Sequence, residues 1–277
     1  MREARERVLA ADDGLRLNLV DYGGGAGPPL LFLHGSFGHA RQWDFVVEAL
    51  GPEQRAFALD LPGHGGSGHA AEPERYRFDW LVRDVAVAVG AMPSAPVLAG
   101  QSIGSAIAME YASRHPETLA GVVFMDIDPQ PPEYQIEHLH DAGSPPPKEY
   151  DDFERAVARE GRVAPNASPE VHRHMATHGY RLEDGRWHQR FDQRFLRTVE
   201  RWDEWGALRK VTAPALVMRG AESVVMAPGS VERMVELLPK ARAEAVAGAG
   251  HQLHLEQPEG VAAALLGFLS EIGGGER

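Results

Sequence analysis

A serine hydroxyl attacks a carbonyl usefully only where a base can take its proton and where donors await the oxyanion that forms. Three stretches of this chain carry residue types suited to those jobs. Gly100-Gln101-Ser102-Ile103-Gly104 follows the apolar run Ala95 to Ala99 and opens a helix-like stretch, Ile103 to Arg114. A nucleophile on so tight a strand-to-helix turn needs neighbours nearly free of side chain two residues to either side, and Gly100 and Gly104 meet that condition. An ordinary Gly/Ser turn would read the same way locally, but placement between a strand and a helix favours Ser102 as the nucleophile. Gly248-Ala249-Gly250-His251 lies between the last strand-like run and a terminal helix that begins near Pro258, which makes His251 the candidate base. His254, its nearest rival, reads as a packing or solvent-facing residue. The run Leu30 to Leu33 ends in His34-Gly35-Ser36-Phe37-Gly38, and the backbone N–H groups of Ser36 and Ile103 are the candidate oxyanion donors. His34 is assigned to holding that loop by hydrogen bonds.

The elements that must position these groups are legible as strand-length apolar runs at Leu15 to Val20, Leu30 to Leu33, Arg55 to Leu59, Pro96 to Ala99, Leu119 to Met125, Ala215 to Met218 and Ala243 to Val246. Helical spacing of apolar residues appears at Trp43 to Leu50, Phe78 to Val89, Ile103 to Arg114, Ser230 to Leu238 and Val261 to Ile272. Alternation of this kind predicts a largely parallel sheet covered on both faces. An antiparallel ribbon is expected to lead it, around Asp12-Asp13-Gly14 and Gly23-Gly24-Gly25. The rhythm stops after Asp128 and resumes at Val211. An interval of about 80 residues is too long for a loop in a compact domain, so an inserted helical cap is expected over 129–210, with 1–128 and 211–277 forming the core domain. Aromatic residues of that interval, such as Phe153, Trp187, Phe195 and Trp202, favour packed structure over disorder.

Composition narrows the partners. Forty acidic residues against 28 basic ones give a formal charge of −12 over 277 residues, which repels nucleic acid and anionic membrane surfaces, so neither is expected. The absence of cysteine excludes disulfides, thiolate nucleophiles and Cys-ligated zinc. No apolar run of spanning or secretory length follows MREARER, so a soluble, cytoplasmic protein is expected. The histidines His174 and His178 share a helix face, but without an H-E-x-x-H pattern they read as polar surface and no metal is expected. The oligomeric state is left open, a homodimer among the options.

His34 to Gly38, Asp60-Leu61-Pro62-Gly63-His64-Gly65-Gly66-Ser67, Gly100 to Gly104, Arg219-Gly220-Ala221-Glu222, and Gly248 to His251 with Glu256 to Glu259 behind together resemble, in content and order, the α/β-hydrolase fold superfamily. The resemblance spans residues 30 to 260 and leaves only the cap without signatures. It implies an α/β fold with a mostly parallel sheet flanked by helices, a lid, and a serine, histidine and acid triad without metal or organic cofactor. It further implies a small-molecule substrate, a carboxylic ester or lactone cleaved through an acyl-enzyme. C–C bond hydrolysis, cofactor-free perhydrolysis, and a catalytically weak ligand-binding homologue use the same parts and stand as alternatives.

The chain departs from the family at the acid. Relatives usually carry an Asp beyond the glycine after the strand Ala215 to Met218, yet the stretch here is Gly220-Ala221-Glu222-Ser223-Val224-Val225-Met226. Asp126, at the end of the strand Leu119 to Met125, is favoured because strand ends hold a side chain better than loops do. It also resembles the placement in certain haloalkane dehalogenases and lactone hydrolases. Glu222 is the alternative acid and Asp128 a third. Dehalogenation itself is disfavoured, since those enzymes attack with a carboxylate where this chain has Ser102. Asp60 is assigned to the Gly-rich turn that follows it.

Overall fold

Leu30-Leu31-Phe32-Leu33 and Ala56-Phe57-Ala58-Leu59 are buried at every residue, the signature of strands covered on both faces. The computed structural model describes residues 1–25 and 27–274; Ala26 and the last three residues of the 211–277 stretch lie outside the described residues. The sheet is built from β1 (Arg5–Ala10), β2 (Arg16–Asp21), β3 (Leu30–Leu33), β4 (Ala56–Leu59), β5 (Val97–Gln101) and β6 (Gly121–Met125), with α1 (Asp44–Leu50), α2 (Phe78–Gly90) and α3 (Ile103–Arg114) in the connections. The chain then leaves the sheet. Residues 129–210 contain α4 (Glu133–Gly143), β7 (Glu149–Tyr150), α5 (Phe153–Val163), α6 (Pro169–Gly179), β8 (Tyr180–Glu183), β9 (Arg186–Gln189), α7 (Arg194–Thr198) and α8 (Trp205–Leu208). It returns as β10 (Ala215–Gly220), α9 (Ser230–Leu237), β11 (Ala241–Val246), α10 (Leu253–Glu256) and α11 (Pro258–Gly274).

The eight main strands run in the spatial order β1-β2-β4-β3-β5-β6-β10-β11. The leading ribbon is antiparallel, as is the pairing of β2 with β4, and every pairing from β4 onward is parallel. Because the chain passes from β3 outward to β4 and then back to β5 on the other side of β3, the strand order reverses between β3 and β5. A crevice opens at the carboxyl ends of strands at such a point. Alternating residues serve opposite faces: Leu31 and Leu33 pack with Val85 of α2 and Ile107 of α3, while Leu30 and Phe32 pack with Val46 of α1 and Leu265 of α11. Among the described residues no helix is long and apolar enough to cross a membrane.

The expectation of a purely helical insertion needs correction. Alongside its helices, the 129–210 segment carries a three-stranded antiparallel sheet in the order β7-β9-β8. Its hairpin turns at Asp184 and Gly185, whose φ values of 50° and 76° are both positive. Two-residue turns of that hand match the twist of paired strands, and Asp-Gly is their strongest sequence signal.

Among the described residues, His254 and Trp43 are core side chains whose polar atoms all lack a hydrogen-bond partner. His254 is wholly buried, its ring lies 4.7 Å from that of Trp43, and neither of its nitrogens has a hydrogen-bond partner. Burial pushes its pKa down to about 3. An unfolded imidazole titrates near about 6.5, so on acidification the unfolded chain takes up the proton first and stability is lost as pH falls from about 6.5 toward about 3. Buried His34, His39 and His64, lowered to about 4, 3 and 3, act in the same direction. His254→Phe keeps the ring contact and removes one titrating group. Urea unfolding between about pH 4 and pH 6 should therefore show a slope of stability against pH shallower by up to about 1.4 kcal/mol per pH unit; an unchanged slope would contradict the assignment.

Candidate active site

Gln101 and Met125 end β5 and β6 level with each other, so Ser102 and Asp126 leave the sheet side by side, while β10 runs on past the level of Met218 to Gly220. Ser102 does so in a left-handed conformation, φ 53° and ψ −126°, unusual for a residue with a side chain and of order 1–3 kcal/mol in cost. Close packing holds it there. A methyl group on Gly100 would lie 2.3 Å from the carbonyl oxygen of Gly104, and one on Gly104 would lie 2.7 Å from the carbonyl oxygens of Leu33 and His34. The first contact lets α3 turn back on β5 and the second seats α3 against β3. Ser105, which the sequence reading passed over, ties the turn together: its hydroxyl donates to the Gly100 carbonyl at 2.6 Å and accepts from the Met125 N–H at 2.8 Å.

The structure brings Ser102, His251 and Asp126 into one hydrogen-bonded row. His251 Nδ1 lies 2.7 Å from Asp126 Oδ2, and its Nε2 lies 3.1 Å from Ser102 Oγ. A carboxylate can only accept, so Nδ1 carries the proton and the lone pair of Nε2 faces the serine hydroxyl. The histidine loop is anchored on both sides: the Gly250 N–H donates to Glu256 Oε2 at 2.6 Å, and Gln101 Nε2 donates to the His251 carbonyl at 3.0 Å.

Asp126 is fully sequestered, and its backbone also adopts a positive φ, 52°, which Asp tolerates better than most residues. Its N–H donates to the Met218 carbonyl at 2.8 Å. Its carboxylate accepts from Ser223 Oγ at 2.6 Å and from the Gly220 N–H at 3.1 Å. The loop after β10, where an Asp was sought, thus supplies donors to an Asp on the adjacent strand. Ser223 was missed although it stood in the very stretch inspected; a hydroxyl there carries no signal until the neighbouring strand is known. Glu222 is exposed and, among the described residues, its carboxylate makes no hydrogen bond or ion pair. Asp128 is engaged elsewhere, accepting from Ser230 Oγ and from the Ala227 and Gln130 N–H groups.

Two buried imidazoles shape the loop after β3. His34 Nε2 accepts from the Leu61 N–H at 2.9 Å, so its Nδ1 bears the proton and donates to the Gly35 carbonyl at 2.8 Å. In a trans peptide the N–H points opposite to the C=O, so fixing the Gly35 carbonyl on one side turns the Ser36 N–H to the other. His64 lies between two carbonyl groups, with Nε2 2.9 Å from that of Ser36 and Nδ1 2.9 Å from that of Pro62, and the one proton of its neutral ring serves one of them. Ser36 and Ile103 both line the cavity above Ser102, and the Ile103 amide stands in the first turn of α3, the positive end of its dipole. Asp60 accepts from Asn18 Nδ2 and from the N–H groups of Ala40 and Gly66, holding the Gly-rich turn as expected.

That cavity encloses about 700 Å³ and is lined by Ser36, Ser102 and His251 on the sheet side and by residues of 131–175, among them Ile136, Leu139 and Val163, on the other. Its walls are predominantly apolar with few polar groups, the usual build of a small-molecule pocket. Away from it, the ligand atoms of Asp44, His174 and His178 lie within 4.8 Å of one another. Both oxygens of Asp44 are already engaged, by Arg41 and by Tyr22 Oη, and the Arg41 cation would oppose a metal ion at that place.

A sequence profile described as alpha/beta hydrolase fold matches residues 28–258. The chain is 26% identical over 261 residues to an esterase of Mycobacterium tuberculosis, covering 89% of this chain and 84% of that one. It is 27% identical to a pimeloyl-[acyl-carrier protein] methyl ester esterase of Xanthomonas oryzae pv. oryzae, covering 90% and 97% of the two chains. The crystal structure of E-2-(acetamidomethylene)succinate hydrolase superposes with a TM-score of 0.86 at 22% identity, over 97% of this chain and all of that one.

The Nδ1 proton held between His251 and Asp126 should give a strongly deshielded resonance in the proton NMR spectrum. In Asp126→Asn that resonance should vanish or return to the ordinary imidazole range, whereas Glu222→Gln should leave it in place. Loss of the signal in the Glu222 variant would mean that the wrong carboxylate has been assigned.

Proposed function

The chain belongs to the α/β hydrolase fold family, and from that premise we propose that it is a serine hydrolase of carboxylic esters or lactones, with Ser102 as nucleophile, His251 as base, Asp126 as the acid and residues 129–210 as a cap over the site. The observation that carries this reading is the row of hydrogen bonds from Ser102 Oγ through His251 to Asp126, standing at the floor of an apolar cavity. As Ser102 Oγ bonds to the carbonyl carbon, His251 Nε2 takes the hydroxyl proton and the carbonyl π electrons move onto oxygen. The amides of Ser36 and Ile103 receive that oxyanion. Collapse expels the alkoxide, which takes the proton from His251 and leaves as alcohol. In a lactone the expelled oxygen stays tethered to the acyl chain. Water, deprotonated by His251, then attacks the acyl-enzyme and releases the acid with regeneration of Ser102.

Asp126 orients the ring and stabilises its charged form without taking up a proton. Ser223 and the Gly220 N–H donate to that carboxylate and support its charge. The idea of a slow ligand-binding homologue arose from the missing Asp after β10, and it loses that motive where Asp126 is hydrogen-bonded to the imidazole.

Purified protein should hydrolyse short aryl esters, and Ser102→Ala should abolish that activity together with labelling by a fluorophosphonate probe. Asp126→Asn should lower kcat by about 10³- to 10⁴-fold, as loss of the correct tautomer does in such triads, while Glu222→Gln should change it by no more than about twofold, as for an exposed side chain. Undiminished hydrolysis by Ser102→Ala would defeat the proposal. A panel of esters, lactones and dienoates, with product analysis, distinguishes acyl transfer to water from C–C cleavage.

A further inference from the structure

Among the charged side chains lining the cavity, Arg159 of α5 is held in an unusual way. Its side chain is only 17% exposed, yet among the described residues its one hydrogen-bond partner is Glu160, reached through Nη1 at 2.9 Å. A guanidinium offers five N–H donors in a planar fork that matches a carboxylate. Most of that fork therefore makes no hydrogen bond to the described residues, in a largely apolar chamber. The group is also fixed in direction. Its central carbon lies 5.4 Å from the centre of the Phe37 ring, and Phe37 follows Ser36 in the loop that carries the candidate oxyanion donor. Glu160 Oε1 also accepts from the Tyr180 hydroxyl at 3.0 Å, which holds that carboxylate at Nη1 of the guanidinium. His138, the other cationic candidate on the wall, is exposed.

We infer that Arg159 is an anion subsite and that the preferred substrate is an ester or lactone bearing a second, free carboxylate, which docks on this guanidinium while its ester carbonyl lies over Ser102. The inference rests on the hydrolase reading for what happens to the substrate, but not for its binding.

Two 4-nitrophenyl esters, the hexanoate and the monoadipate, differ at the far end by a methyl group against a carboxylate. Wild-type kcat/KM should favour the monoadipate by about 10-fold or more, and Arg159→Gln should lower it by roughly 10- to 100-fold for the monoadipate, mainly through KM, the range for loss of a charge-assisted hydrogen bond. The hexanoate should change by no more than about threefold, as for a neutral contact. Arg159→Lys, which keeps the charge without the fork, should fall between and serves if the Gln variant does not fold. Equal losses on both esters, or no wild-type preference, would overturn the subsite. Calorimetry in the Ser102→Ala background separates the two readings, because monomethyl adipate should bind more tightly than methyl hexanoate and lose that advantage in Arg159→Gln. Such binding in a protein that cleaves neither ester would leave the subsite standing and the hydrolase reading refuted; cleavage of both esters without preference would do the reverse.

Discussion

The level ending of two neighbouring strands, β5 and β6, is the constraint on which the rest of the site depends. Because Gln101, Met125 and Met218 are in register, Ser102 and Asp126 emerge side by side at the carboxyl edge of the sheet. The loop after β11 then has only to deliver His251 between them. Parallel pairing makes this possible: every strand from β4 onward points the same way, so the loops that can carry chemistry collect at one edge. A slip of one residue between β5 and β6 would turn the Asp126 side chain away and leave the imidazole without its orienting partner.

Around that row the fold spends conformational freedom and polar burial to keep a few groups in fixed directions. Ser102 and Asp126 both occupy left-handed backbone conformations, and each is stitched by an N–H bond to the strand beside it, to Met125 and Met218 respectively. His34 and His64 are held neutral by burial, and the His34 ring restrains a carbonyl group of the loop after β3. Acid sensitivity follows from that construction, since a neutral buried imidazole is a site that only the unfolded chain protonates easily. The ring that aims the amide of Ser36 thus narrows the pH range over which the fold is stable.

The segment between β6 and β10 contributes in a different way. It supplies the upper wall of the cavity and, in α5, a guanidinium with spare donors, while its aromatic residues attach it to the core. Trp202 stacks on Phe78, and the Glu204 N–H donates to the Pro129 carbonyl. Burial of Glu204, and after it the neighbouring Glu110 carboxylate of α3, raise its pKa to about 8.

Much of the core was legible in the chain alone. Leu30 to Leu33 and Ile103 to Arg114 have the boundaries read from the sequence, because a strand covered on both faces is a short continuous apolar run and a buried helix a longer one. The Gly-x-Ser-x-Gly turn was readable because close backbone approach excludes side chains at Gly100 and Gly104. The Asp184-Gly185 turn signal stands in the sequence, but the expectation of a helical cap did not use it. What sequence determined, then, was most elements of the main sheet and its helices, the α/β class, and the candidates Ser102, His251, Ser36 and Ile103, each carried by a local rule of backbone geometry. Only the tertiary structure decided which carboxylate stands beside His251, that Ser223 and Gly220 support it, and that Arg159 faces the cavity. Those relations are between residues far apart in the chain, set by strand order and register, and no local spacing encodes them.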